Sequence, residues 1–233
     1  MDFVYVCKQG ENEELRYSIR SVLASFPDAT IWVIGGKPNW YSGNFISVRR
    51  NPNVYDTVDK NLGALVTCPD ISESFVLMND DFFITQKIDS IDMYHAGKMS
   101  DMIDRIETMC TAYNMDRFYL NKIQRTSNFI KKRYKINEPI NYELHMPMVM
   151  EKAKLKPLLG LPSLWRSTYG NLYDVGGTQS GDVKVYGSGN YKSFDYLNTP
   201  FRYASSNDDS FESMKPWLHN LFPNPSKHEL DMQ

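Results

Sequence analysis

Residues 74–84, SFVLMNDDFFI, constrain this chain more than any other stretch. Four apolar residues run into Asn79, Asp80 and Asp81, and Phe82, Phe83 and Ile84 lead out again. An apolar run of this length reads as a buried strand. Two adjacent carboxylates beside it are costly to bury unless something neutralises them, and a divalent cation would do so. A plain polar turn is the alternative, because Asn and Asp favour turns. The large apolar side chains on both sides favour a functional reading over solvent-facing punctuation.

The preceding residues supply the rest of a sheet. Residues 3–6, 30–34 and 45–48 are β-rich runs, and residues 74–84 form a fourth. Between the first two, Leu15, Ile19, Val22, Leu23 and Phe26 fall at helical spacing after Asn12, and Pro27 closes the helix. A second helix runs from Thr57 to about residue 66, with Val58, Leu62 and Leu65 inside and Asp59, Lys60 and Asn61 partly outside. Such alternation predicts an α/β fold, a mostly parallel central sheet flanked by helices. Ligands in such sheets sit at the carboxyl ends of the strands. The loop 7–10, the Gly35–Gly36 turn and the triplet 79–81 are therefore expected on one rim. No GxGxxG and no GxxxxGK[ST] occurs, which disfavours a dinucleotide-binding fold and a P-loop NTPase.

At 233 residues the chain suits one large domain. Residues 1–92 are expected to form its ligand-binding α/β half, and 93–233 a second half of the same domain, more helical and richer in loops. A hydrophobic fraction of 42% supports a folded core, and the net charge of −2 leaves any polyanion contact to a local patch. Cys7, Cys68 and Cys110 are too scattered for a disulfide framework or a zinc site. Met1 leads straight into a strand without a basic leader, and no apolar run approaches the ~18 residues of a membrane span. The expectation is a soluble cytoplasmic protein with no membrane partner.

A patch of the required kind lies at residues 117–135. Seven basic residues and no acidic one are interleaved there with Phe118, Tyr119, Phe129 and Tyr134. Arg125, Lys131, Lys132 and Arg133 are the candidates for following a phosphate backbone, with the aromatics stacking on bases. A solvated helix face is the plainer reading. Before it, Met99, Met102, Ile103, Ile106 and Met109 suit a core-facing helix. After it, His145 stands two residues before Pro147, which suggests an extended entry to a helix over 151–156. Residues 164–171 bring Arg166 and Asn171 together with aromatics. Residues 170–189 read as loops, or a hairpin around 183–186. Asn207, Asp208 and Asp209 repeat the triplet in a polar setting, where a helix cap before 211–221 is the simpler reading.

Paired acidic side chains at the end of a central strand suit a nucleotide-sugar enzyme. The diphosphate leaving group develops negative charge, and Mg²⁺ or Mn²⁺ held by carboxylates offsets it. Lys8, Arg16 and Arg20 at the first strand–helix junction are candidate assisting cations, with salt bridges to Glu13 or Glu14 the alternative for both arginines. An inverting transfer also needs a base. His145 leads for that role and an Asp of the triplet follows. In an extended chain Asn79 and Asp81 share a face, which makes Asp81 the direct metal ligand and Asp80 a hydrogen-bonding partner; a bend would reverse this.

Residues 12–22 (NEELRYSIRSV), 31–40 (IWVIGGKPNW) and 75–83 (FVLMNDDFF) resemble the Stealth sugar-phosphate transferases. They are more similar still to the phage TET-associated glycosyltransferases, which place sugars on hydroxymethylated pyrimidines in phage DNA. His145 with Pro147, the segment RSTYGN at 166–171 and SSNDD at 205–209 look like the later regions of that superfamily. Where Stealth proteins open with a Trp-Val-Asp-Gly-like stretch, this chain has Val6-Cys7-Lys8-Gln9-Gly10, which leans toward the phage group. The resemblance implies a GT-A-like fold and a metal-dependent glycosyltransferase, taking a UDP-sugar or another nucleotide-sugar to modified DNA in the infected bacterial cytoplasm. It implies catalytic roles for His145, Asp80 and Arg166. Lys8, Arg16, Arg20, Lys60, Asn61 and Asn79 would hold the donor, and Asp81 with Asp80 the metal. The competing readings are a Stealth-like transferase with a glycan acceptor, and a catalytically idle nucleotide- or sugar-binding module.

Overall fold

A computed structural model describes residues 1–49, 54–187 and 202–230. In chain order its elements are β1 (Asp2–Cys7), α1 (Glu13–Ser25), β2 (Thr30–Gly35), β3 (Asn44–Ser47), α2 (Val54–Thr67), β4 (Ser74–Asn79) and β5 (Phe82–Ile84). Then come β6 (Tyr94–His95), α3 (Met99–Tyr113), α4 (Phe118–Tyr134), β7 (Met148–Glu151), α5 (Lys152–Leu155), a 3₁₀ turn, α6 (Trp165–Leu172), β8 (Thr178–Gln179), β9 (Tyr203–Ser205) and α7 (Asp208–Leu221).

The chain divides into two compact units. The first comprises Met1–Ile91, His145–Lys152 and Val183–Gln233, and the second Asp92–Leu144 and Ala153–Asp182. The stretch 93–233 is thus not one half: its β7 segment and its C-terminal segment pack with the first ninety residues. Residues 188–201 and 231–233 of it lie outside the described residues.

The first unit holds a five-stranded sheet in the order β3-β2-β1-β4-β7, parallel except for β7. The α/β class and the mostly parallel sheet expected from the sequence are both present. β1 is central because five of its six residues are buried: Phe3, Val4 and Tyr5 have no exposed surface. Helix α1 starts where Asn12 accepts from the Leu15 backbone N–H at 2.9 Å. Its fully buried Leu15, Ile19 and Val22 each contribute roughly 2 kcal/mol of burial. On the next strand, Gly35 ends β2 at a φ of 109°, and a side chain there would meet the Cys7 carbonyl and the Asn61 amide. That glycine lets the loop after β1 close onto β2.

Three expectations change here. Residues 74–84 are not one strand: the chain turns at Asp80 and Asp81, and β5 leaves the main sheet to pair antiparallel with β9. Ser18 of α1 anchors that departure by donating to the Phe82 carbonyl, and Ser21 by accepting from the Ile84 N–H at 3.0 Å. The extended entry after His145 becomes a strand, β7, because Met148 and Met150 alternate inward against β4, and the helix after it is only the short α5. No hairpin forms at 183–186; Lys184 instead bridges Ser205 in parallel. The rest of the loop expected up to residue 189 lies, from 188 on, outside the described residues.

The second unit is mostly helical. Met99, Ile123 and Ile130 form its buried centre, with Met102, Ile103, Ile106, Phe129 and Leu164 around them. Met109 is 42% exposed, so the methionine stripe of α3 leaves the core before its end.

Candidate functional site

The strand order places the site. β2 and β3 lie on one side of β1, and α2 then carries the chain across to β4 on the other side. The crevice at the carboxyl ends of β1 and β4 is therefore a switch point, where open α/β sheets take ligands. Register puts Val6 beside Asn79 and Cys7 beside Gly35, so the loop after β1, the glycine turn and the acidic triplet share one rim.

Three carboxylates gather at this rim, each with a donor. Asp80 accepts from the Asn12 side-chain amide at 2.5 Å. Asp81 Oδ2 accepts from Lys184 Nζ at 2.7 Å and from the Ser205 hydroxyl at 3.0 Å. Glu14, in the first turn of α1, accepts from the Ser206 hydroxyl at 2.6 Å. The SSND stretch at 205–208 thus folds back on the first triplet. Asn207 caps α7 reciprocally with Ser210, as the polar setting of the second triplet implies. Lys8 stands at the edge, 3.3 Å from Asp208, both side chains well exposed. Such a pair is worth about 0–1 kcal/mol, which leaves Lys8 available to an anion.

Burial, and then the charge of Asp81, push the Asp80 carboxyl up to about 6. Burial likewise raises Glu14, with Asp81 adding to it. A carboxyl near 6 exchanges its proton in the neutral range, which suits acid–base work.

The structure distributes the expected site residues unevenly. Asn79, Asp80, Asp81 and Lys8 come together at the rim, and His145 approaches it with its ring edge-on to Phe82, centroids 6.2 Å apart. Asn61 is buried rather than partly outside: 1% exposed beside Gly35, its Oδ1 without a hydrogen-bond partner. Lys60 is on the exposed face of α2. Arg16 and Arg20 are committed elsewhere. Arg20 makes a two-pronged pair with Glu229, at 2.8 and 2.6 Å, and donates to the Phe222 carbonyl at 3.0 Å. Arg16 lies over the Trp40 ring at 4.8 Å and 3.5 Å from the same Glu229. Neither arginine pairs with Glu13 or Glu14, and neither faces the rim as a free cation; both fasten the C-terminal segment to α1. Arg166, in the second unit, is buried and donates to the Leu144 carbonyl at 2.6 Å.

The metal expectation fails its fit test. Asp81 already holds an ammonium, Asp80 an amide and Glu14 a hydroxyl. Among the described residues no group of three or more His, Cys, Asp or Glu is arranged to hold an ion. Waters and substrate phosphates can complete the shell of a cation held by one or two carboxylates, so the misfit lies at Asp81, whose Oδ2 already accepts from Lys184 and Ser205. The turn at residues 80–81 also removes the shared face of Asn79 and Asp81 on which the choice of Asp81 as ligand rested.

In the second unit, α4 carries the expected basic run as one helix. Arg125, Asn128, Phe129, Lys132 and Arg133 with Pro162 line an open cleft of about 410 Å³. Lys131 is exposed outside that lining, and Arg117 is paired with Glu107 at 2.7 Å.

Sequence reasoning missed Asn12, Glu14, Lys184, Ser205 and Ser206 as site residues. Asn12 and Glu14 fall in the stretch 12–22, and Ser205 and Ser206 in SSNDD, which carry the resemblance but mark no single residue; Lys184 between two valines reads as a strand edge.

A scan against protein families and a search of curated proteins each return no match. Solved structures similar to the chain include the galactosyltransferase LgtC in complex with donor and acceptor sugar analogues. It is 15% identical over 58% of this chain and 65% of that one, with a TM-score of 0.31, so less than two thirds of its length is matched. An active-site mutant of LgtC is 12% identical over 97% and 98% of the two chains, with a TM-score of 0.41. Likeness at this level says nothing about chemistry. No helix among the described residues is long and apolar enough to cross a membrane.

Proposed function

We infer that the chain is a glycosyltransferase with a GT-A-like fold that moves a sugar from a nucleotide-sugar, a UDP-sugar first among them, to a hydroxymethylated pyrimidine in DNA. The observation that carries the reading is the Asn12–Asp80 hydrogen bond of 2.5 Å at the carboxyl ends of neighbouring strands. It joins the two stretches, 12–22 and 75–83, on which the resemblance to nucleotide-sugar enzymes rests, at the one place where an open α/β sheet takes a ligand. Lys8 and the N–H groups of the loop after β1 meet the diphosphate. Asn79 and the unpartnered Asn61 oxygen offer polar contacts to the nucleoside. Asp80, held near 6, takes the proton of the acceptor hydroxyl, and His145 is the second candidate for that step.

The acceptor reading rests on α4. Phe118, Lys122, Arg125, Phe129 and Lys132 recur every three or four residues, and Arg133 follows Phe129 by four, so they form one stripe about 22 Å long. Phe118 is 53% exposed, and the stripe ends in the cationic cleft. Cations with an exposed ring suit a single-stranded or flipped nucleotide track.

The test is transfer of radiolabelled sugar from a panel of nucleotide-sugars to DNA containing hydroxymethylcytosine, with unmodified DNA and a glycan as other acceptors. Label in the modified DNA alone, lost with Asp81→Ala, is the expected result. Label in the glycan alone overturns the acceptor, and equal transfer by Asp81→Ala and wild type overturns the site.

A further inference from the structure

The disagreement between the acidic rim and a divalent cation identifies a different source of positive charge. We propose that the Lys184 ammonium is the resident counter-cation of the carboxylate cluster, occupying at Asp81 the place a divalent metal would take and blocking metal binding there.

The position of Lys184 is built by the fold. Val185 N–H donates to the Ser205 carbonyl at 2.8 Å, and Ser205 N–H to the Val183 carbonyl at 3.2 Å, so the backbone on both sides of Lys184 is tied to one residue. Val183 and Val185 are buried, which fixes the strand-like segment and turns the side chain between them toward Asp81. The same Ser205 that holds this backbone gives its hydroxyl to Asp81 Oδ2. Lysine and carboxylate are only 15% and 12% exposed, so this is a partly desolvated pair and not a surface contact. Ser206 N–H also donates to the Asp81 carbonyl, at 3.2 Å, which pins the turn from the backbone side. A metal entering at Asp81 Oδ2 must displace an ammonium whose backbone is tied on both sides to Ser205.

The consequence for catalysis rests on the transferase reading: Lys184 with Lys8 would then meet the leaving diphosphate without a metal. The binding claim does not rest on it, and it is read without turnover.

Calorimetric titration of MnCl₂ into the full chain tests it, comparing wild type, Lys184→Met, Lys184→Gln and the double variant Lys184→Met/Asp81→Asn. Wild type is expected to show no saturable binding tighter than roughly 1 mM. Lys184→Met and Lys184→Gln are expected to bind Mn²⁺ at least about tenfold more tightly, and the double variant to lose that gain. Wild-type binding as tight as that of the lysine variants overturns the proposal, and so does folded Lys184→Met or Lys184→Gln protein that binds no better than wild type. If neither lysine variant folds, wild type and Asp81→Asn decide it by Mn²⁺ paramagnetic resonance: saturable wild-type binding that Asp81→Asn abolishes overturns it, and no saturable wild-type binding supports it. Sugar transfer is absent from every arm, so this inference and the transferase reading fail separately.

Discussion

Asn12 and Asp80 lie 68 positions apart and are joined by a 2.5 Å hydrogen bond, while the other end of the same amide caps α1. One side chain thus starts a helix and orients the most strongly perturbed carboxyl of the rim. Asn12→Ala removes both functions and should cost about 1–2 kcal/mol in urea unfolding. Asn12→Asp keeps the cap but sets a second carboxylate against Asp80. Its stability deficit should be clear near about pH 8 and shrink near about pH 5, where such a pair holds a proton. A deficit independent of pH would contradict the pairing.

Asp80 itself makes stability depend on pH. Burial raises its carboxyl from the ordinary 3.8 to about 6, so between those values the folded chain binds more protons than the unfolded one. Stability therefore falls as pH rises across that window, by about 3 kcal/mol. Asp80→Asn keeps an acceptor for Asn12 and removes the charge. It should flatten the melting temperature over this range and raise it above about pH 7, as thermal melts in a pH series would show.

The clamp of Arg20 and Glu229 is a stability device. Burial pushes the Glu229 carboxyl up, but the bonds from Arg20 and Ser226 outweigh it and hold the group below its ordinary range. Its contribution is present above that range and is lost as pH falls through the lowered value. Arg20→Met leaves a carboxylate of 3% side-chain exposure with only the more distant Arg16, at 3.5 Å, as its cation and should cost about 3 kcal/mol in denaturant unfolding at neutral pH. Glu229→Gln should cost less near about pH 4 than at neutrality.

The α4 stripe predicts a salt-dependent loss of nucleic-acid affinity. Replacing Arg125, Lys132 and Arg133 together by Ala should lower the slope of log affinity against log salt by about 2–3, measured by fluorescence anisotropy on hydroxymethylcytosine DNA. Lys131→Ala, outside the cleft lining, should change it less. Equal effects would mean that the helix acts as a diffuse positive face.

Local periodicity made much of this fold legible. The buried stripe of α1, the runs of β1, β2 and β4, and the Asn207 cap all announce themselves within a dozen residues. The turn at residues 80–81 did not, because a continuous apolar run resumes at Phe82 as if the strand continued. β7 was hidden too, since MVME after a proline reads as well for a helix entry as for a strand. Asp80 and Asp81 stand out in the sequence by their cost of burial, whereas Glu14 does not. The site's other half arrives from far along the chain: Lys184 reaches Asp81 across 103 positions and Glu229 reaches Arg20 across 209. No spacing rule marks such pairs, and sequence alone therefore assigned Arg16 and Arg20 to a ligand and left Asp81 to a metal.

The central claim is that the rim built by Asn12, Asp80 and Lys8 binds and cleaves a nucleotide-sugar. Its most direct test is release of radiolabelled sugar from a panel of nucleotide-sugars by the wild-type chain and by Asp80→Asn. Turnover of at least one donor, reduced about a hundredfold or more by Asp80→Asn, is the predicted result. Binding of donors without any turnover, or equal turnover by the two proteins, would contradict it.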